Sequence, residues 1–317
     1  MGEEPSPSQR ARELVRGAYD LHVHVAPDVM ERRVTDVELA RRCRDVGLSG
    51  FALKSHYLPT AERAAVVRAV VPPVDVVGGL TLNASVGGMN PIAVEVFARA
   101  GGRIVWFPTV DANNQRESRA KDPPDARPPM WARLQQDLVD QGIAAPPIMV
   151  MGDGGEVRPE VRDVLRLIAR HDLVLATGHL GREEILAVVD AAVEEGVERV
   201  IVTHPEFTSQ RVPVEDQRRL AGKGALLERC FTTPHTGKVS WEQVFDTVRA
   251  VGPESSVWTT DLGQPFNPPV EDGLALMADT FLTVGFGEDE VRLMAVDNPV
   301  RVVKGAGGLV KTDEEAG

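Results

Sequence analysis

Short apolar runs alternate with stretches of helical spacing along almost the whole chain. Runs rich in Val, Ile and Leu, such as 50–56 and 199–205, each precede a segment whose apolar residues recur every three to four positions. This pattern predicts eight strand–helix pairs. The strands are predicted at 19–25, 50–56, 74–83, 103–112, 173–180, 199–205, 225–231 and 257–263, and the helices at 35–46, 60–70, 91–100, 157–170, 183–195, 214–222, 241–250 and 271–284.

Alternation of this kind requires parallel strands joined by crossover helices. Eight such units in 317 residues fit a closed (β/α)8 barrel, the TIM barrel of the α/β class, better than an open sheet. We therefore predict one barrel domain over 1–317. Residues 113–150 are polar and proline-rich around a short helical piece, which predicts an insertion or lid in the fourth βα unit. Residues 311–317 are predicted to be a frayed tail.

Composition narrows the possible partners. A formal net charge of -12 gives no overall basic field for nucleic acid or a membrane surface, and no apolar run reaches spanning length. The N-terminus lacks the basic start and apolar core of a signal peptide, which favours a cytoplasmic protein with a small-molecule substrate. Cys43 and Cys230 are too few for a disulfide framework, so both are expected to be reduced packing residues.

Polar side chains gather at the C-terminal ends of the predicted strands, where barrel enzymes place their chemistry. His22 and His24 end the first strand, and their spacing of two puts them on one face. The other strand-end candidates are Lys54 and His56 on the second strand, His179 on the fifth, His204 on the sixth and Asp261 on the eighth. Imidazoles with one carboxylate suit Zn, Mn, Fe or Co, whereas Mg and Ca prefer more oxygen. A lone strand-end histidine is usually packed, but five together favour a metal site.

Weaker candidates surround this cluster. Asn83 ends the third strand before a glycine turn and a helix that could hold an anion, or the segment is an ordinary helix start. His235 touches substrate or is a loop histidine. Arg33 belongs to a charged run that either is solvated or selects an acidic substrate. Glu206 could support a ligand histidine from behind.

Four segments carry a family resemblance: "DLHVHVAP", "TGHL", "VTHPEF" and "TTDLG". Together with the late "MAVDNPVRVV", they resemble the amidohydrolase superfamily of metal-dependent barrel hydrolases, over nearly the whole chain. The resemblance implies that one or two divalent metals, with zinc favoured, are bound by His22, His24, His179, His204 and Asp261. It further implies that Asp261 takes a proton from activated water, so that an amide, cyclic amide, lactone or ester is hydrolysed.

One feature departs from that family. Its binuclear members commonly carry a carboxylated lysine on strand 4, and "IVWFPTVDA" contains no lysine. The "KSH" around Lys54 instead resembles an uncharacterised amidohydrolase-like branch. Lys54 could be a displaced carbamate bridge, an ammonium that holds substrate, or an ion-pair partner of Asp111 or Glu228. We favour a role in substrate contact or in support of the site.

Three other functional classes stay open at this point. A phosphoesterase of the histidinol-phosphatase type also begins with a His-x-His strand. A metal-dependent decarboxylase or other lyase could use the same barrel. A barrel that has lost catalysis is the third, although the presence of all five implied ligands speaks against it. Homo-oligomers are common among such barrels, but no sequence feature specifies one here.

Overall fold

The computed structural model describes residues 5–121 and 128–305. Within them, eight parallel strands pair in chain order and curve into a barrel. The strands are β1 (Tyr19–Val23), β2 (Gly50–Leu53), β3 (Asp75–Thr81), β4 (Ile104–Trp106), β5 (Val174–Ala176), β6 (Arg199–Val202), β7 (Leu226–Cys230) and β8 (Ser256–Thr259). Beyond the strand ends, His24 N–H donates to Leu262 O and Asp261 N–H donates to His22 O, each at 2.8 Å, which joins the first strand to the last. The predicted TIM barrel is confirmed.

Helices cover the outside of the barrel. They are α1 (Gln9–Leu14), α2 (Asp36–Val46), α3 (Ala61–Val70), α4 (Pro91–Arg99), α5 (Asn113–Arg119), α6 (Met130–Asp140), α7 (Pro159–Arg170), α8 (Arg182–Glu194), α9 (Val214–Gly222), α10 (Thr232–His235), α11 (Trp241–Val251), α12 (Val270–Thr283), α13 (Glu288–Arg292) and α14 (Asn298–Lys304). A π-helical turn, Leu293–Asp297, joins the last two, and short 3-10 turns lie at Ala84–Val86 and Pro253–Ser255. Over the described ranges, none of these helices has the length and apolarity needed to cross a bilayer.

Helix α7 shows how the sequence pattern produces this packing. Its residues Val161, Val164, Leu165 and Ile168 follow the spacing of one helical face, and all four are completely buried. Pro159 occupies the first turn, where its missing N–H costs no hydrogen bond. The helix therefore packs its apolar face against the barrel and leaves its arginines outside.

A β-bulge in β1 sets up the barrel mouth. The register against β2 shifts between Asp20 and Val23. Leu21 and His22 lie within the shift: Leu21 packs in the barrel interior with residues such as Trp106, and His22 also contacts Trp106, at 6.0 Å between ring centroids. Two consecutive residues thus face inward. Bulges commonly redirect side chains next to functional sites, and this one turns the following histidines into the mouth.

The insertion between β4 and α7 contains two helices, α5 and α6, where the sequence predicts one short helical piece. Asn114 of α5 donates from Nδ2 to the carbonyls of His179 and Ser209, at 3.0 and 2.9 Å. Gln135 of α6 donates to the carbonyl of Val110 at 2.7 Å. These contacts hold the insertion against the loops at the C-terminal end of the barrel. The predicted tail, 311–317, lies outside the described residues.

The two cysteines are buried free thiols, as predicted. Cys43 packs on α2 among apolar residues of the outer core. Cys230 ends β7 inside the barrel, where its Sγ lies 3.1 Å from Thr259 Oγ1. Burial raises the pKa of both thiols well above the usual range, so they remain protonated in this environment.

Candidate metal centre

Five histidine rings form a closed circuit at the C-terminal end of the barrel. Each follows a different strand end, apart from His22 and His24, which share β1. Between ring centroids, the distances are 5.5 Å for His22–His24, 4.9 Å for His24–His56, 6.0 Å for His56–His179, 5.1 Å for His179–His204 and 6.1 Å for His204–His22. The structure therefore brings together all five histidines that the sequence places at strand ends. We call this arrangement the histidine ring.

Asp261 joins two members of the histidine ring. Its Oδ1 lies 3.2 Å from His22 Nε2 and 3.1 Å from His24 Nε2. The ligands of a tetrahedral zinc ion, at about 2.1 Å from the metal, are separated by roughly 3.4 Å. Asp261 Oδ1 is therefore spaced from each of the two histidine nitrogens as two ligands of one metal ion would be. The ligand atoms of these three side chains all lie within 4.8 Å of one another, so the residues are a candidate group for holding a metal ion.

His179 and His204 supply a second indication. Nδ1 of each is buried and forms no hydrogen bond within the described part of the chain. An unpaired buried nitrogen costs about 1–3 kcal/mol, so such atoms normally have a partner. A metal ion held by these residues would provide one, because neutral imidazole nitrogen is a common metal ligand.

Glycine places His179 in the ring. Gly178 has a φ of +64°, and a Cβ on it would lie 2.3 Å from the carbonyl oxygen of Phe107. Only glycine allows the chain after β5 to pass this close to the neighbouring backbone. His179 N–H then donates to the carbonyl of Pro108 at 3.0 Å, and this bond directs the imidazole of His179 into the mouth of the barrel.

Two of the candidate ligands adopt strained backbone conformations. His204 has a φ of +26° and Asp261 a φ of +52°, in the left-handed region that non-glycine residues seldom enter. Such conformations cost of the order of 1–3 kcal/mol each and concentrate at functional sites. Asp20 supports one of these positions: its carboxylate accepts from the backbone N–H groups of His22 and Thr260, at 3.2 and 3.0 Å.

Glu228 on β7 is the functional residue that the sequence analysis did not place in the metal centre. Its Oε1 accepts from Nδ1 of His22 at 2.9 Å, and its Oε2 accepts from the backbone N–H of His204 at 3.1 Å. A carboxylate behind a ligand histidine fixes the tautomer and aims the other nitrogen at the metal. The signal in the sequence is a glutamate within the otherwise apolar strand "ALLERCF".

Burial keeps four of the five rings neutral. It lowers the pKa of His24 to about 3 and that of His204 to about 4. Burial also holds the pKa values of His56 and His179 well below their usual range. Neutral imidazole is the form that binds a metal, so these electrostatics suit ligand duty.

His22 behaves differently. Burial and the Lys54 ammonium act to lower the pKa of His22, but Asp261 and Glu228 outweigh them and raise it to about 9. Glu228 is itself affected: although burial alone would raise its pKa, the charge of His22 and their hydrogen bond bring it to about 2. Without a metal, a proton on His22 therefore neutralises part of the acidic charge, and a cation in the same place would do the same.

Lys54 lies inside the site, with 3% of its surface exposed. Its Nζ is 2.8 Å from His22 Nε2 and 5.6 Å from the centroid of the Trp106 ring. Burial lowers the pKa of Lys54, while the charges of Asp261 and Glu228 oppose that shift. Within the described residues, the hydrogen-bond partner of Lys54 is His22, and neither expected carboxylate forms an ion pair with it.

Asp111, the other expected partner of Lys54, is engaged elsewhere. Its Oδ1 accepts from Arg116 Nη2 at 2.6 Å and from Gln135 Nε2 at 2.9 Å. Its Oδ2 accepts from the backbone N–H of Ala84 at 3.0 Å. Asp111 therefore holds the insertion and the loop after β3 together, and its hydrogen bonds leave the alternative of a Lys54–Asp111 pair without support.

Asn83 and Thr109 support the histidine ring from behind. His56 Nδ1 lies 2.8 Å from Thr109 Oγ1, and Asn83 Nδ2 donates to that same hydroxyl at 2.7 Å. Asn83 also donates to the carbonyl of His56 and accepts from the N–H of Thr109. This places Asn83 one layer behind His56, where it fixes the position of the ring.

Three of the weaker candidates lie outside the histidine ring. Glu206 pairs with the buried Arg229 between β7 and α9, so it does not support a ligand histidine. Arg33 donates to the carbonyls of Pro265 and Asn267, which ties the loops after β1 and β8 together. His235 is exposed and stacks on Phe231 at 4.8 Å between centroids. The arginine that contacts the ring is the neighbouring Arg32, whose Nη2 is 3.3 Å from His24 Nδ1.

Solved structures similar to this chain include proteins described as an amidohydrolase and a probable dipeptidase. An amidohydrolase from Pseudomonas aeruginosa superposes with a TM-score of 0.59 at 14% identity, covering 93% of this chain and 98% of its own. The probable dipeptidase PvdM from the same organism gives 0.57 at 12%, covering 93% and 96%. YjjV, a TatD homologue from Escherichia coli K12, gives 0.53 at 14%, covering 91% and 98%. At these identities the likeness establishes the fold.

Family membership is defined more directly by the sequence. Residues 17–228 match the model of a family of unknown function, DUF6282, and the chain belongs to that family. No curated protein matches the chain. The matched region runs from just before β1 to Glu228 on β7, so it includes every member of the histidine ring.

Proposed function

We propose that this protein is a metal-dependent hydrolase that cleaves an amide, cyclic amide, lactone or ester of a small molecule. The observation that carries the proposal is the shared contact of Asp261 Oδ1 with His22 Nε2 and His24 Nε2, within a ring completed by His56, His179 and His204. Neutral nitrogen donors with one carboxylate suit zinc, our favoured ion, ahead of manganese, iron or cobalt.

The chain's residues divide the work by position. His22, His24, His179, His204 and Asp261 would hold one or two ions. When bound, a divalent metal supplies a Lewis acid that activates water near neutral pH and polarises a substrate carbonyl. Asp261 accepts a proton at its carboxylate and returns it to the departing nitrogen or oxygen; its Oδ2 already accepts a hydrogen bond from Thr232 Oγ1 at 3.2 Å.

Lys54 supports turnover from inside the barrel. Its Nζ lies beside His22 Nε2, so an ammonium there stabilises negative charge that develops on the substrate. The insertion acts as the lid of the site, since Asn114 bonds it to the loops that follow β5 and β6. Closure by such a lid excludes water other than the attacking molecule.

The neighbouring structures agree with this class without defining the substrate. Proteins named as an amidohydrolase and a probable dipeptidase share the barrel, and a barrel alone never specifies a reaction. A phosphoesterase, a lyase and a non-catalytic barrel are therefore separate outcomes of one experiment. We expect hydrolysis.

The experiment is a turnover screen in ¹⁸O-labelled water with zinc-loaded protein. Small amides, lactones and carboxylic esters form one set and phosphomonoesters a second. We expect one ¹⁸O atom in the acid product of the first set, and loss of turnover in Asp261→Asn. Phosphate release would favour the phosphoesterase, and zinc-loaded protein inactive on every set would contradict the proposal. A third set of carboxylic acids tests the lyase, which would release carbon dioxide without forming a hydrolysis product.

A further inference from the structure

Arg32 lies beside the histidine ring, at the mouth of the barrel. Its side chain is 3% exposed, and its Nη2 is 3.3 Å from His24 Nδ1. Asp28 is its ion-pair partner: Oδ2 accepts from both Nε and Nη2 at 2.6 Å. A guanidinium that is buried this completely is held in one orientation, because two bonds to the same carboxylate oxygen fix its plane.

Part of the Arg32 guanidinium forms no hydrogen bond within the described residues. Arginine has five N–H donors, and Asp28 and His24 engage only those on Nε and Nη2. Across residues 5–121 and 128–305, no group bonds Nη1. The contact with His24 is also weak: the distance is long, and Nδ1 can accept from Arg32 only in the tautomer that carries its proton on Nε2, so this hydrogen bond is lost when Nε2 binds a metal.

Tyr57 offers a second donor near Arg32, because it contacts His56, whose ring lies 4.9 Å from that of His24, the neighbour of Arg32. Its ring contacts His56 edge-on, at 6.2 Å between centroids. The hydroxyl oxygen is buried and forms no hydrogen bond to the described residues. Burial raises the pKa of Tyr57, so the group stays protonated and able to donate. A buried phenol hydroxyl normally has a hydrogen-bond partner, so the lack of one for Tyr57 among the described residues points to a ligand that accepts its hydrogen bond.

We propose that Arg32 and Tyr57 form a subsite for an anionic group of the substrate, and that this group is a carboxylate. The proposal rests on the proposed function, because the reacting carbonyl is taken to lie at the histidine ring. His24 touches Asp261 on one side and Arg32 on the other, which places the anion subsite next to the reacting group. The substrate is then a small acid whose scissile amide, lactone or ester lies a few bonds from a free carboxylate.

Charge balance favours a carboxylate over a phosphate. The subsite has one guanidinium, already paired with Asp28, and one neutral hydroxyl. Asp28 and Asp111 both lie close enough to act on the phenol of Tyr57. A singly charged carboxylate can share Arg32 with these groups, whereas a phosphate with close to two negative charges would be repelled by them.

Calorimetry on zinc-loaded protein tests the subsite without relying on turnover. The probes are succinate, glutarate and adipate, each compared with its neutral diamide, and inorganic phosphate. We expect at least one dicarboxylate to bind ten-fold or more tightly than its diamide and than phosphate. Arg32→Gln should weaken that binding about 10- to 100-fold, and Tyr57→Phe about 3- to 10-fold, as for the loss of charged and neutral hydrogen bonds. Diamide binding should not change.

Arg41→Gln is the matched control, because Arg41 is an exposed arginine on α2 and should leave every affinity unaltered. If Arg32→Gln destabilises the protein by freeing Asp28, the wild-type comparison and Tyr57→Phe still decide the matter. Equal affinity for diacids and diamides, tighter binding of phosphate, or full dicarboxylate affinity in folded Arg32→Gln or in Tyr57→Phe would overturn the subsite. Arg32-dependent binding in a protein without turnover would overturn only the proposed function. Equal hydrolysis of substrates with and without a free carboxylate would overturn only the subsite.

Discussion

Glu228 Oε1 lies 2.9 Å from Nδ1 of His22, completely buried beneath the barrel mouth. Because the carboxylate accepts at Nδ1, the other nitrogen of the same ring faces Asp261 and Lys54. One hydrogen bond on β7 thus decides which atom of a β1 histidine is presented to the site. This arrangement, together with the histidine ring, gives the metal hypothesis its most specific consequences.

Glu228→Gln should weaken metal binding by about 10- to 100-fold, the usual effect of removing a carboxylate behind a ligand histidine. The amide keeps the shape and one acceptor but loses the charge that favours His22 in the ligand tautomer. Zinc affinity measured by chelator competition gives the result. Glu62→Gln, an exposed position on α3, is the control, and equal zinc affinities in Glu228→Gln and wild type would remove Glu228 from the metal centre.

Asp261→Asn should lower the turnover number by about 10²–10⁴, the usual contribution of a general acid–base group. Asparagine keeps one oxygen for the metal but cannot accept the proton, so substrate binding should suffer less than catalysis. The acidic limb of the pH–rate profile should shift or disappear, because it reports the ionisation of Asp261 and the activated water as one coupled pair. Turnover within a few-fold of wild type would show that Asp261 only positions the strand end.

Lys54→Met should retain full metal content and lose turnover. Methionine fills a similar volume beside Trp106 and removes only the charge near His22. Metal analysis and steady-state kinetics on the same preparation separate the two effects. A fall toward one ion or none, restored by bicarbonate or a short carboxylic acid, would show instead that Lys54 bridges two metals as a carbamate.

Metal-free protein should lose stability as the pH falls below about 6.5. In the unfolded chain the histidines take up protons near that value. His24 and His204 remain neutral in the fold to about pH 3 and 4, so over this range the unfolded state binds more protons and is favoured. Each such histidine contributes up to about 1.4 kcal/mol per pH unit. His22 opposes this trend only at higher pH, since its contribution is lost as the pH rises toward 9. Asp20 opposes it within the range, because burial raises its pKa to about 7 and the fold takes up this proton before the unfolded chain does, which reduces the net slope by up to one proton.

Urea unfolding of chelator-treated protein between pH 5 and 7 measures this slope. His204→Gln should reduce the slope by about one proton, because glutamine does not titrate. Stability independent of pH over this range would contradict the neutral, buried state of the ring.

Much of the fold and of the metal centre follows from residue pattern alone. Strand–helix alternation predicts all eight strands, and their polar C-terminal ends predict the histidine ring, because a closed barrel brings these ends together. Strict alternation along β1 would place Asp20 beside His22 on the inner face. The bulge breaks that rule, and Asp20 bonds the backbone of His22 and Thr260 instead.

The residues whose roles the sequence pattern did not predict have one thing in common: each has a neighbour or counterpart of the same type, and only the packing tells the two apart. Glu206 and Glu228 are both glutamates near strand ends, and only the three-dimensional packing shows that one neutralises Arg229 while the other supports His22. Arg32 and Arg33 are likewise adjacent in sequence. The turn after β1 sends Arg32 to His24 and Arg33 to backbone carbonyls of the β8 loop. Loop conformation of this kind is not encoded in a periodic pattern.

The most direct test of the metal centre is elemental analysis of the purified protein after expression with added zinc. We predict about one to two equivalents of transition metal per chain, lost in both His22→Ala and His179→Ala while far-ultraviolet circular dichroism shows an intact barrel. His235→Ala, outside the histidine ring, should keep the wild-type content. A wild-type protein without metal, or either ring variant with full occupancy, would contradict the assignment of these histidines as ligands.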